Sequence, residues 1–350
     1  MNYAMNWKKQ KLFNPLAIVE TDLEQKPYLC ENEEIVQWQQ KSQQELYRLL
    51  GLQKMHLCDD DFEMESKTEY AEYTEVCFTF QSEENYYVPC CLWIPRTSSH
   101  KKPPLMICLQ GHSSGMHISK GEIQFSMDKK LIQEGDRDFA VRAIKEGYSA
   151  LMMEQRYMGM CGGDNGVPGC VEGKALRTLL LGRCAIGERV WDVQRLIDVV
   201  EKKFADKVDL AKLVCMGNSG GGTTCFYAAC MDNRIHLTVA SCCISTFRES
   251  IGHIRHCGCN YIPGIAEYFD MGDLGKLIFP RCLIIVSGEK DTDFPIKGAK
   301  ECCERIQELY TQYKKEENFC HVIGNEGHRF YADLTYPVIH KMQNVLHSIQ

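Results

Sequence analysis

Residues 217–222 read Gly-Asn-Ser-Gly-Gly-Gly, directly after the apolar run KLVCM and directly before TTCFYAACM. A serine held between glycines at a sharp strand-to-helix turn can be lifted clear of the backbone, because glycine tolerates the tight geometry such a turn needs. Ser219 is therefore a candidate nucleophile for acyl transfer. The N–H of Gly220, at the start of the following helix, faces the negative charge that develops when a carbonyl is attacked. The competing use of a glycine-rich turn is phosphate binding. That needs Gly-Lys-Ser/Thr at the loop's end, and this loop contains no lysine.

A hydroxyl is a poor nucleophile until a base takes its proton, and the base needs a third group to fix its tautomer. The strand-like run NFCHVI is followed by a glycine-flanked loop that carries His328, the candidate base; His321, inside the run, reads as a strand residue. The run RCLIIVSG ends in Gly288-Glu289-Lys290-Asp291-Thr292-Asp293-Phe294-Pro295, three acids in one turn. Asp291 is the candidate orienting acid, with Glu289 and Asp293 read as turn formers or solvated charges, although the sequence leaves Asp293 open as the alternative. A second oxyanion donor is expected from the loop Gln110–Gly115 after LMICL, by position the backbone N–H of His112.

These residues need a scaffold that brings several strand ends together. From Leu105 onward, short buried-strand runs (LMICLQG, YSALMME, KLVCMG, LTVASCCI, CLIIVSG) alternate with helical stretches, the pattern of a parallel sheet covered on both faces. EVCFTF and YYVPCCLWIP predict an antiparallel hairpin ahead of it. The strongest helix is ERVWDVQRLIDVVEKKF, opening just after Gly187, with Val190, Val193, Ile197, Val200 and Phe204 on one face. The expected fold class is α/β: a mostly parallel central sheet with helices on both faces in residues 71–350. Residues 1–70, polar and acidic, form an N-terminal extension packed on it, with one helix that places Ile35, Trp38, Leu46, Leu49 and Leu50 on one face before Gly51. The glycine-rich stretch Gly159–Gly182 and the segment HIRHCGCNYIPGIAEYFDMGD are expected to wall the pocket.

The 350 residues are 44% hydrophobic and 25% charged with a formal net charge of -7, so no basic surplus exists to neutralise phosphates or a membrane surface. Nucleic acid and membrane are excluded as expected partners; a small ester substrate and a homo-oligomer are not. No apolar stretch approaches the ~18 residues of a membrane span. The 20 cysteines are scattered through apolar runs and read as small buried hydrophobes, which makes a cytoplasmic, reducing location the expectation. A metal site could be drawn from His253, His256, Cys257 and Cys259, but the cluster lacks a second ligand pair nearby, so no metal is expected. Arg156, Arg189 and Asp192 read as structural ion pairs.

The stretches LQGHSSGMH, EQRYMG, LGRCAIGERVWDVQRLIDVV, GNSGGGTTCFYAACMDNRI, HCGCNYIPG, SGEKDTDFPI and GNEGHRF occur in this order. From about Tyr73 to the C-terminus, the chain thereby resembles the acetyl xylan esterase-like and dienelactone-hydrolase-like branch of the α/β-hydrolase superfamily. The resemblance implies the α/β-hydrolase fold and a carboxylesterase, often one that deacetylates sugars, without metal or organic cofactor. It carries the triad roles to Ser219, Asp291 and His328 and the oxyanion hole to Gly220 and the His112 loop. The expected function is a serine carboxylesterase acting on short acyl, above all acetyl, esters through an acyl-enzyme. A thioesterase, a lactonase or dienelactone hydrolase, and an inactive binding protein of the same fold are the alternatives.

Overall fold

Alternate residues along the central strands belong to two separate cores, which makes the sheet the middle layer of three. On the strand Pro104–Leu109, Leu105, Ile107 and Leu109 pack into one core and Met106 and Cys108 into the other. The structure, a computed structural model, describes residues 22–23, 34–96, 102–162 and 172–348. Its strands are β1 (Glu63–Glu69), β2 (Tyr73–Glu83), β3 (Tyr86–Pro95), β4 (Pro104–Leu109), β5 (Ser149–Met153), β6 (Asp209–Asn218), β7 (Leu237–Ser241), β8 (Cys282–Gly288) and β9 (Phe319–Gly324). They form one nine-stranded sheet in the order β1-β2-β3-β5-β4-β6-β7-β8-β9. β1, β2, β3 and β5 pair antiparallel, and from β5 across to β9 every pairing is parallel.

The helices are α1 (Ile35–Leu49), α2 (Ser126–Gln133), α3 (Phe139–Lys145), α4 (Glu172–Arg177), α5 (Ala185–Lys203), α6 (Gly220–Met231), α7 (Met271–Gly275), α8 (Ile296–Gln312) and α9 (Ala332–Ser348). α1, α5, α6, α7 and α8 supply the core on one face of the sheet, and α3 and α9 the core on the other. α5 starts at Ala185, so Gly187 lies in its first turn rather than ahead of it. The reason is packing: a Cβ on Gly187 would sit 1.9 Å from the carbonyl oxygen of Leu50, so only glycine lets α5 approach the end of α1. α1 buries Trp38, Leu46 and Leu49, and its Gln39 donates to the carbonyls of Lys276 and Phe279 at 2.9 and 2.6 Å.

Two further features depart from the sequence reading. β1 lies in a stretch read as polar and without strand pattern; all seven of its residues are exposed, and it pairs along β2 as a charged edge. Cys77 and Cys91, opposite each other on β2 and β3, are joined as a disulfide. The hydrophobe reading therefore fails for this pair, while most of the other described cysteines are buried. Of the two expected pocket walls, residues 163–171 of the glycine-rich stretch lie outside the described residues.

Candidate active site

β6 runs out at Asn218 and α6 begins at Gly220, leaving Ser219 alone at the turn with φ 57° and ψ -127°. A side chain at positive φ costs of order 1–3 kcal/mol and persists only where its surroundings over-determine it. Here they do: the Ser219 N–H donates to the carbonyl of Ser241 on β7 at 2.8 Å, and its own carbonyl accepts from the Thr223 N–H at 2.8 Å. The flanking glycines are needed for space. A Cβ on Gly217 would lie 2.3 Å from the Gly221 carbonyl, and one on Gly221 2.2 Å from that of Leu109.

The two strands beyond β7 deliver the candidate acid and the candidate base. Asp291 is buried in the loop after β8; its Oδ1 accepts the N–H groups of Asp293 and Phe294 at 2.9 and 3.1 Å, and its Oδ2 meets His328 Nδ1 at 2.9 Å. Burial pushes the Asp291 carboxyl up, but the His328 hydrogen bond and charge and the two N–H donors outweigh it and hold it below the usual carboxylate range. An ionised acceptor fixes the proton of His328 on Nδ1 and leaves Nε2 free to take one. Asp293 is exposed, and its nearer oxygen lies 3.9 Å from Nδ1. The structure thus joins Asp291 to His328; it does not join Ser219 to His328 by a hydrogen bond. Cys242, which follows the Ser241 carbonyl that holds the serine turn, lies with its sulfur within 4.8 Å of both the acid and the base. Burial and the neighbouring Asp291 carboxylate push its thiol up to about 12.

The loop after β4 lies against the serine turn: a Cβ on Gly111 would come within 2.8 Å of Ser219 Cβ. Gly220 is the first residue of α6, so its N–H has no acceptor within the helix. The imidazole of His112 packs beside it, 3.0 Å from where a Gly220 Cβ would be. That ring is more engaged than the sequence suggested. Its Nε2 lies 3.1 Å from the sulfur of Cys259, and Arg189 Nη1 donates to the same sulfur at 3.5 Å. Burial lowers the His112 imidazole, but the sulfurs of Cys257 and Cys259 more than reverse this and raise it to about 9. Of the other cluster residues, His256 Nε2 instead pairs with Ser250 Oγ at 2.9 Å.

Three charged features of the surroundings complete the site. Arg156, at the end of β5, grips both oxygens of buried Asp192 on α5 at 2.8 Å and also pairs with Glu83. Arg183 joins Glu83 and Glu188 to this cluster, as the ion-pair reading expects for Arg156 and Asp192. Glu154 is buried beside a cavity of about 390 Å³ that Ser114, His117 and Met160 also line; burial pushes its carboxyl up to about 7 against N–H donors at Met116 and Met160. Arg137 is buried, its Nε and Nη1 have no acceptor among the described residues, and burial pushes its guanidinium down to about 10. It lines a cleft of about 590 Å³ together with His328, Arg329 and Glu326. Flanked by Asp136 and Asp138, Arg137 carries no sequence sign of burial. A larger cleft of about 850 Å³, lined by Lys300, Cys303, Phe319 and His321 among others, touches none of the triad candidates. His321 itself pairs with Ser287 Oγ at 3.0 Å and is a strand residue.

A family model described as glucuronyl esterase of fungi matches residues 184–246, the stretch from the start of α5 through the Ser219 turn to the end of β7 and the loop beyond. A curated protein of Bacillus subtilis named "Putative hydrolase YtaP" is 22% identical over 176 residues, a match that spans 48% of this chain and only 56% of that protein's length. Solved structures share the fold at low identity. A putative acetyl xylan esterase of Bacteroides fragilis superposes with a TM-score of 0.75 at 15% identity, over 96% of this chain and 97% of its own. Acetyl xylan esterase 1 from Thermoanaerobacterium sp. gives 0.59 at 16%, over 95% and 99%. A glucuronoyl esterase from Caldicellulosiruptor kristjansonii gives 0.58 at 13%, over 90% and 86%. The sheet order and these structural matches give this chain the α/β-hydrolase fold, and its resemblance, carried across the serine turn by the family-model match, is to acetyl xylan and glucuronoyl esterases.

Proposed function

We propose that this protein is a serine esterase that hydrolyses small carbohydrate esters, with acetyl as the acyl group. The observation that carries the reading is the Asp291–His328 hydrogen bond of 2.9 Å at the ends of β8 and β9, set beside a serine held at positive φ on the end of β6. In this reading Ser219 Oγ attacks the ester carbonyl carbon while His328 Nε2 takes its proton, and the tetrahedral oxyanion is met by the N–H groups of Gly220 and His112. The C–O bond to the alcohol breaks, and the alcohol leaves with the proton held by His328. Water then repeats the attack on the acyl-serine, gives its proton to His328, and releases the acid and free Ser219. Asp291 stays ionised throughout and stabilises the imidazolium.

A second reading follows from the glucuronyl esterase model across the serine turn. An acetyl ester of a sugar puts the sugar on the alcohol side; a glucuronoyl ester puts it on the acyl side, so the sugar would remain on Ser219 in the intermediate. The experiment is hydrolysis of p-nitrophenyl acetate, butyrate and octanoate, of acetylated xylose and of methyl glucuronate, by the native protein and Ser219→Ala, with fluorophosphonate labelling of both. The expected result is fastest turnover of the acetyl substrates and loss of both turnover and label in the variant. Turnover of methyl glucuronate alone would favour the second reading. A native protein that neither labels nor turns over any substrate would overturn the esterase reading and leave the binding-protein alternative.

A further inference from the structure

Cys257 and Cys259 stand on the loop after β7, and sequence spacing leaves them one pair short of a metal site. The fold supplies the missing ligand from 147 residues earlier: His112 Nε2 lies 3.1 Å from Cys259 Sγ, and one ligand atom from each of His112, Cys257 and Cys259 falls within 4.8 Å of the others. We propose that these three side chains bind a single thiophilic divalent ion of the zinc class, which fastens the loop after β4 to the loop after β7.

The chemistry of the donors favours this ion. One imidazole nitrogen and two thiolates are the ligand types zinc takes, at about 2.0–2.1 Å for nitrogen and about 2.3 Å for sulfur, so ligand atoms around a tetrahedral zinc stand roughly 3.5–3.8 Å apart. A cluster already inside 4.8 Å needs only small side-chain adjustments to close on it. Hard cations that prefer oxygen are a poor match for sulfur donors. Cys259 is buried while His112 and Cys257 are half-buried, so the site combines an anchored ligand with a route of entry. The N–H of Gly258, between the two cysteines, donates to Glu172 Oε1 at 2.9 Å and holds the short Cys-Gly-Cys turn against α4. On binding, each thiol S–H gives up its proton to solvent and each sulfur donates a lone pair to the ion; nothing is oxidised or reduced. The described residues supply three protein ligands, which leaves one position of the tetrahedron open. This site does not depend on Ser219, Asp291 or His328 acting in catalysis.

The test uses the full chain under reducing conditions, titrated with Co²⁺ as the spectroscopic probe. The expected result is thiolate-to-cobalt charge-transfer absorption that saturates at one ion per chain, is bleached by Zn²⁺, and is lost in Cys257→Ser and in Cys259→Ser. Cys242→Ser, which alters the neighbouring cluster of Cys242, Asp291 and His328, should leave it unchanged. Circular dichroism of each variant checks folding, and His112→Asn, which keeps both thiols, should bind more weakly with a shifted d–d spectrum. Absence of the charge-transfer bands, their survival in either cysteine variant, or their loss in Cys242→Ser would overturn the proposal.

Discussion

Of the three acids in the loop after β8, Asp291 alone combines burial, two backbone N–H donors and a 2.9 Å approach to His328. Asp291→Asn should therefore reduce turnover by on the order of 10³–10⁴-fold, through loss of the correct histidine tautomer, while Asp293→Asn should change it less than about threefold. Steady-state rates on p-nitrophenyl acetate decide, and equal losses would sink the assignment. Glu154 offers a pH test of a different kind. Its folded pKa of about 7 lies above the ordinary 4.5, so between those values the folded protein holds a proton that the unfolded chain has released. That favours folding at the acid end of the window, and stability should fall as pH rises through it. Glu154→Gln should flatten this part of the profile, read as urea midpoints at about pH 5 and about pH 7.5. An unchanged slope would place the dependence elsewhere. Asp291 works in the opposite direction: its lowered carboxyl contributes stability above the ordinary carboxylate range, which is lost as the pH falls through its folded value.

The elements that hold these residues could be read from the sequence where their side chains alternate or recur. The runs KLVCM and CLIIVSG, buried on both faces, announce central parallel strands, and the serine and acid follow them directly. β1 could not be read, because Glu63, Glu65, Lys67 and Glu69 give no apolar face; it is a strand only because β2 offers it a ladder. The start of α5 was equally hidden, since a glycine inside a helix is explained only by the Leu50 carbonyl it meets. Replacing it makes an element-scale test. Gly187→Ala improves intrinsic helix propensity by about 1 kcal/mol, yet the added methyl would stand 1.9 Å from backbone that cannot swing aside. Overpacking should win, with a net loss of about 1–3 kcal/mol in denaturant unfolding. A neutral or stabilised variant would show that α1 and α5 can part without cost.

At the scale of the whole molecule, contacts distant in sequence set what could not be foreseen. Spacing does not reveal that His112 meets Cys259 or that Arg156 meets Asp192, because each depends on how the elements are ordered around the sheet, whereas the Cys77–Cys91 pair depends on the register of the β2–β3 hairpin. The same closed cores predict thiol behaviour. Outside the Cys257–Cys259 turn, native labelling of the described cysteines should be confined to the half-buried Cys58, Cys161 and Cys320, mapped by peptide mass spectrometry. Label on Cys225 or Cys302 would mean that the cores open readily. The grip of α1 on the far side of the chain has one more consequence. Gln39 finds its acceptor at Phe279, 240 residues later. At a synthesis rate of about 5–20 residues per second, roughly ten to fifty seconds pass between the birth of that donor and the arrival of its partner. Throughout that interval Gln39 lacks its native acceptors while Leu50 can already meet Gly187 and Gln43 the Cys230 carbonyl, so α1 locks from its C-terminal end towards its N-terminal end as the chain emerges.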